Sequence, residues 1–142
     1  MPNDETGVRL QALLLADHAN VREGLLSVLS AGITRVGLGT YPGHLPAYLV
    51  MVIYLPPDQV PLAHEGEVKL KYPETATEIA TVKMGFQATA ETYPGEGLYL
   101  PLVMPIHNIP FEKTGQVDLQ VSLNNQHAGE LSFWLLAGPL GA

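Results

Sequence analysis

Apolar and polar residues alternate along most of this chain, which is the signature of strands with one buried face. The pattern is clearest near the C-terminus. Val117, Leu119, Val121 and Leu123 alternate with Asp118, Gln120 and Ser122, and Leu131, Phe133 and Leu135 alternate with Ser132, Trp134 and Leu136. Between them Asn124-Asn125-Gln126-His127 reads as the turn of a hairpin. Gly66 to Tyr72 sets Val68, Leu70 and Tyr72 against Glu67, Lys69 and Lys71, a strand with one wet face. Glu78 to Ala90 sets Val82, Met84, Phe86 and Ala88 against Thr81, Lys83, Gly85 and Gln87. Leu98 to Ile106 alternates too, but Pro101 and Pro105 each lack an N–H, so this segment is expected at a sheet edge or a bulge.

The N-terminal half is more apolar. Val8 to Ala16 predicts a strand, with Leu10, Ala12 and Leu14 on one face and Arg9, Gln11 and Leu13 on the other. Leu13-Leu14-Leu15 blurs that alternation, as in a strand covered on both sides. Asp17-His18-Ala19-Asn20 reads as a turn. Residues 21–29 fit either a short helix or two strand segments hinged at Glu23-Gly24, and the strand reading is preferred. Ala31 to Val36 is β-like, and Gly37 to Pro46 is a glycine- and proline-rich loop. Ala47 to Leu55 is almost wholly apolar and ends at Pro56-Pro57-Asp58, which predicts a central strand buried on both faces. About eight strands result. The expected architecture is an all-β, two-sheet antiparallel sandwich over residues 8–137, with a disordered leader at 1–7 and a tail at 138–142.

Composition narrows the function classes. Only 15% of the 142 residues are charged, against about 25% in average domains. Mean hydropathy is +0.14. A surface so poor in charge suits a face covered by a partner, which suggests a homo-oligomer or a docked protein. The net charge of −7 and the scattered seven basic residues argue against nucleic acid and anionic membranes as partners. There is no cysteine, which removes disulfides and thiolate chemistry and suits a reducing compartment, so the cytoplasm is the expected location. The acidic, polar start is unlike a secretory signal, and the longest apolar run is far short of the ~20 residues that span a bilayer.

Candidate chemistry is sparse. His18, His44, His64, His107 and His127 form no metal-binding pair spacing and read as exposed loop residues, so no metal or cofactor is expected. Gly32 to Gly39 lacks the lysine and spacing of a phosphate loop. Asp17 and His18 are the catalytic candidates, with His44 or His107 as loop partners. Against this, neighbours on an extended chain point to opposite faces, and Asp17 suits an Asx-type turn. Trp134 alternates away from the Phe133 face and is the best interface anchor unless another strand or the tail covers it.

The stretch Leu10 to Val36 resembles the opening of DUF6941, a family of small bacterial proteins of unknown function. The resemblance rests on Ala16, Asp17, Ala19, Arg22, Gly24, Gly32, Thr34 and Arg35, and continues through Ala47–Leu55 and Leu102–Asn124. It implies a bacterial source and carries no activity. Arg22 and Arg35 join Trp134 as binding candidates. The last hairpin also resembles those of immunoglobulin-like and C2-like sandwiches, a likeness of fold only. Three functions follow in order: a non-catalytic protein-binding or scaffold module that self-associates, a small-molecule binder with an inter-sheet or loop-built pocket, and a small enzyme with a loop-built Asp/His site.

Overall fold

The computed structural model describes residues 6–88 and 92–138, and every regular element among them is a strand. The expected leader and tail lie outside the described residues except for Thr6, Gly7 and Gly138, as do the last two residues of the expected 78–90 strand. The strands are β1 (Arg9–Arg22), β2 (Leu25–Ala31), β3 (Arg35–Leu38), β4 (Gly43–His44), β5 (Tyr48–Leu55), β6 (His64–Tyr72), β7 (Thr77–Phe86), β8 (Leu98–Pro105), β9 (Pro110–Phe111), β10 (Gly115–Leu123) and β11 (Gln126–Ala137). No helix of the described residues is long and apolar enough to cross a membrane.

Sheet I has the order β2-β1-β5-β8 and sheet II the order β3-β11-β10-β6-β7, while β4 and β9 form a two-stranded clasp. One core cluster joins the two sheets. Leu15, Leu49, Met51, Ile53 and Leu55 come from sheet I, and Val68, Leu70, Val117, Leu119, Val121, Phe133 and Leu135 from sheet II. Phe111 of the clasp is fully buried and meets Phe133 edge-on at 6.1 Å. β1 lies close against β11 at Gly129, where a Cβ would lie 2.8 Å from Leu10 Cδ2.

The strands differ from the sequence reading in four places, each with a local cause. There are eleven rather than about eight, because β3, β4 and β9 are fragments of two to four residues: β3 overlaps the end of the β-like Ala31–Val36 stretch, β4 lies in the Gly37–Pro46 loop, and β9 lies between expected strands. Pairing is antiparallel except for β3, which runs parallel to β11 from Arg35–Trp134 to Leu38–Ala137. Asp17 to Asn20 is not a turn. It lies inside β1, which continues to Arg22 and pairs with β2 from Ala16–Ala31 to Arg22–Leu25. The turn comes at Glu23-Gly24, with φ of 54° and 75°, the left-handed pair that a two-residue hairpin of matching twist requires. Finally, the faces of β1 change over at a bulge between Leu10 and Ala12. Leu10 and Leu13 therefore join the core together, although strict alternation put them on opposite faces.

Other elements fall where the pattern put them. β5 is central and buried on both faces, β8 with its two prolines is an edge, and 21–29 is strand-turn-strand. The final hairpin turns on Asn124-Asn125 alone, both at positive φ, so Gln126 and His127 belong to β11 rather than to the turn.

Candidate interaction site

The two sheets present unlike outer faces. Opposite the core, β6, β7, β10 and β11 carry Glu67, Lys69, Lys71, Lys83, Asp118, Gln120 and Glu130, in register as cross-strand neighbours. Lys69 and Glu78 sit 3.9 Å apart there, and Ser132 and Gln116 both donate to Asp118 Oδ1. This face is built for water.

Sheet I carries no such coat. Strands β2, β5 and β8 contain no charged residue at all, and β1 has only Arg9, Asp17 and Arg22. Register places Ala12, Leu14 and Ala16 beside Val52, Val50 and Tyr48, and these beside Pro101, Val103 and Pro105, all on the side away from the core. Ala16 and Val50 are buried, with Leu14, Tyr48, Val103, Leu26 and Val28 packed around them, so the surface forms a second small cluster. Three strands about 4.8 Å apart and some 20 Å long give that face a footprint of roughly 300 Å². Part of it is already covered within the chain, since Ala16 and Val50 are 0% and 1% exposed.

Aromatic residues close both ends of the patch. At one end the Arg9 guanidinium lies 4.3 Å over the Tyr54 ring, and Tyr54 packs on Tyr99 at 5.0 Å. At the other, Tyr48 receives His18 and His107 edge-on, at 5.3 and 4.8 Å between ring centroids. Beyond Tyr48 the sheet narrows to a two-stranded arm, because β1 pairs with β5 only as far as Ala16 and with β2 thereafter. Ala19, Leu26 and Val28 of the arm pack back toward Ala16, while Val21, Leu25 and Leu29 are 41%, 70% and 63% exposed.

Of the catalytic candidates, Asp17 and His18 are both exposed on β1. The Asx turn expected at Asp17 is absent, because the chain there is extended and paired. No hydrogen bond or ion pair links Asp17 to a histidine among the described residues. His18 and His107 do come together, but with Tyr48 between them. His44 lies apart on β4. No group of three or more His, Asp or Glu among the described residues could hold a metal ion.

The histidines are not the loop set that the sequence suggests: His18, His44 and His127 are exposed but lie in strands, and only His107 is in a loop. His64 begins β6 and is 5% exposed. It stacks on Phe86, with ring centroids 5.5 Å apart. Nε2–H donates to Gln59 O at 2.8 Å, and Nδ1 accepts from Asn124 Nδ2 at 3.1 Å. The Asn124 amide is oriented by Glu65 N–H, which donates to its Oδ1, so the ring carries its proton on Nε2. Extending the Gly66–Tyr72 alternation back by two residues would have put His64 on the core face.

The binding candidates separate. Trp134 is 45% exposed on the outer face of sheet II, with Arg35 and Gln116 as its register neighbours. Arg22 is in the other sheet, at the tip of the arm. Two open grooves, of about 520 and 490 Å³, are lined by Glu65, Glu67, Lys83 and Ser122 and by Pro57, Val60, Tyr93 and Pro94 respectively. Neither is lined by a side chain of sheet I, so neither parts the two sheets.

The fold and this surface together define an all-β protein with one wet sheet and one apolar sheet. The chain belongs to DUF6941, a family of unknown function whose model matches residues 11–135. No curated protein matches it. Among solved structures it is similar to a Pseudomonas fluorescens alkylpurine DNA glycosylase, AlkC, bound to DNA containing an abasic site analog, at 14% identity and a TM-score of 0.44. That match covers 88% of this chain and 30% of the glycosylase, so the chain spans under a third of that protein's length.

Proposed function

We propose that this protein is a non-catalytic binding or scaffold module that associates with copies of itself through the apolar outer surface of sheet I. The observation that carries the reading is the contrast between the two outer faces: sheet II holds charge across its register, and three of the four strands of sheet I hold none. A second copy suits this surface because two uncharged faces meet without repulsion, whereas the net charge of −7 disfavours a like-charged approach elsewhere. Two such footprints total at most about 600 Å², below the ~1,200 Å² of a small specific interface, so the face contact taken alone is a weak one. On this reading the two facing sheets are a sandwich of the immunoglobulin- or C2-like kind. The module works in the cytoplasm, which suits its lack of cysteine, with proteins rather than nucleic acid or membranes as partners.

Sedimentation velocity across a range of concentrations tests this. The wild type is expected to sediment as an oligomer. Val103→Lys, which puts a charge on the apolar face, should shift it toward smaller species. Gln120→Lys, on the wet face of sheet II, should not. A wild type that is monomeric throughout, or equal responses from both variants, counts against the reading.

A further inference from the structure

We infer that the free edge of β2 is a second, separate contact, where two copies join their arms antiparallel with Ser27 on the two-fold axis. The inference rests on the reading above for the identity of the partner as a second copy. Its own support is the state of the sheet edges.

Free edges invite strand pairing, and folded proteins blunt them in recognisable ways. Three of the four outer strands here are blunted. β8 carries Pro101 and Pro105. β7 carries Glu78 and Lys83. β3 is only four residues long. β2, with the sequence Leu-Leu-Ser-Val-Leu-Ser-Ala, has no proline, no charge and no glycine, and no described strand pairs with its outer edge.

The arm is also incomplete as an element. It packs Ala19, Leu26 and Val28 back on the sheet but leaves Leu25 and Leu29 open to solvent. Joining two arms makes four strands.

Backbone geometry selects the register. The two-residue turn at Glu23-Gly24 makes Arg22 and Leu25 the pair that bonds across the hairpin. Leu25, Ser27 and Leu29 then direct their backbone groups toward β1, while Leu26 and Val28 direct theirs outward. An antiparallel partner can bond only to the outward pair. With Ser27 on the axis, Leu26 faces Val28 of the second copy and each exchanges both its bonds. The same register sets Leu25, 70% exposed, opposite Leu29 of the second copy, 63% exposed. The two largest apolar exposures of the arm are thus covered by each other, and two exposed serines meet at the centre.

The edge contact fuses two four-stranded sheets into one and leaves their outer apolar faces side by side. With face contacts added, the assembly is larger than a dimer.

The test uses the absence of native cysteine. In the 142-residue chain, Ser27→Cys should give a covalent dimer under mild oxidation, since a pair on the axis with unbonded backbones brings its Cα atoms closest. Ser132→Cys, exposed on sheet II, should stay monomeric on a denaturing gel. Ser27→Lys places two like charges on the axis and should weaken this contact by roughly tenfold or more in its dissociation constant, while circular dichroism stays that of the wild type. Val103→Lys combined with Ser27→Cys should still cross-link, because the face contact is separate. If the wild type is oligomeric but Ser27→Cys does not cross-link, or cross-links no faster than Ser132→Cys, the edge contact is wrong and self-association through the face stands. If an extended segment of another protein occupies β2, the wild type sediments as a monomer and the Ser27→Cys variant stays unlinked, which overturns both readings.

Discussion

At the scale of single residues, the most constrained side chain is Asn124. It sits in the hairpin turn with φ of 51°, accepts from Glu65 N–H, and donates to the buried His64 ring. Asn124→Ala removes both bonds and leaves Nδ1 of His64 without a donor, in a backbone conformation alanine resists. A loss of about 2–3 kcal/mol is expected, read from the midpoint of urea unfolding. Tyr41 offers a pH handle. Burial raises its pKa above the ordinary tyrosine value, with a smaller lowering from a backbone hydrogen bond at Leu38 and a smaller raising from Tyr72. Its hydroxyl donates to Leu136 O at 2.8 Å. Because the folded state holds this proton more tightly than the unfolded chain, the stabilisation is complete below the unfolded pKa of about 10 and is lost as pH rises through the folded value. Unfolding midpoints should therefore fall above about pH 10, and Tyr41→Phe should flatten that fall.

At the scale of elements, the arm tests whether local turn chemistry sets strand pairing. Gly24 has φ of 75° and open space around its Cα, so conformation alone resists a side chain there. Glu23, at φ of 54°, occupies the other left-handed position without the residue types that favour it. Glu23→Asn should stabilise the hairpin by a few tenths of a kcal/mol, and Gly24→Val should destabilise it by about 1–2 kcal/mol. Hydrogen exchange of the Leu25–Ala31 amides reads both changes. The alternation of β6, β10 and β11 was legible in the sequence because a half-buried strand must repeat every two residues. The length of β1 was not. Asp17, His18 and Asn20 are turn-forming or polar residues, and they belong to a strand only because β2 pairs across them. The bulge between Leu10 and Ala12 is likewise a product of pairing with β5.

At the scale of the whole molecule, low charge content was a signal that some surface is covered, but composition has no address. The proposed contact surface has one in register, on β1, β5 and β8 of sheet I. Oligomers held by that surface gain stability by mass action. The melting temperature should therefore climb with protein concentration in the wild type, by a few degrees for each additional kcal/mol. Val103→Lys together with Ser27→Lys should abolish the dependence, as scanning fluorimetry over a dilution series would reveal.

The sequence by itself determined the all-β class, the central place of β5, the edge-or-bulge character of β8 and the kinship with DUF6941. Each follows from near-neighbour physics or from a local motif: period-two burial and prolines without an N–H. Tertiary structure decided which apolar residues face the core and which face out. Leu14 and Leu15 are alike as letters, yet Leu15 is 1% exposed between the sheets and Leu14 lies on the outer patch. It also buried His64, put Tyr48 between His18 and His107, and set Trp134 apart from Arg22. Those outcomes depend on strand order and register across distant segments, and a single chain position carries no record of the strand that will lie beside it.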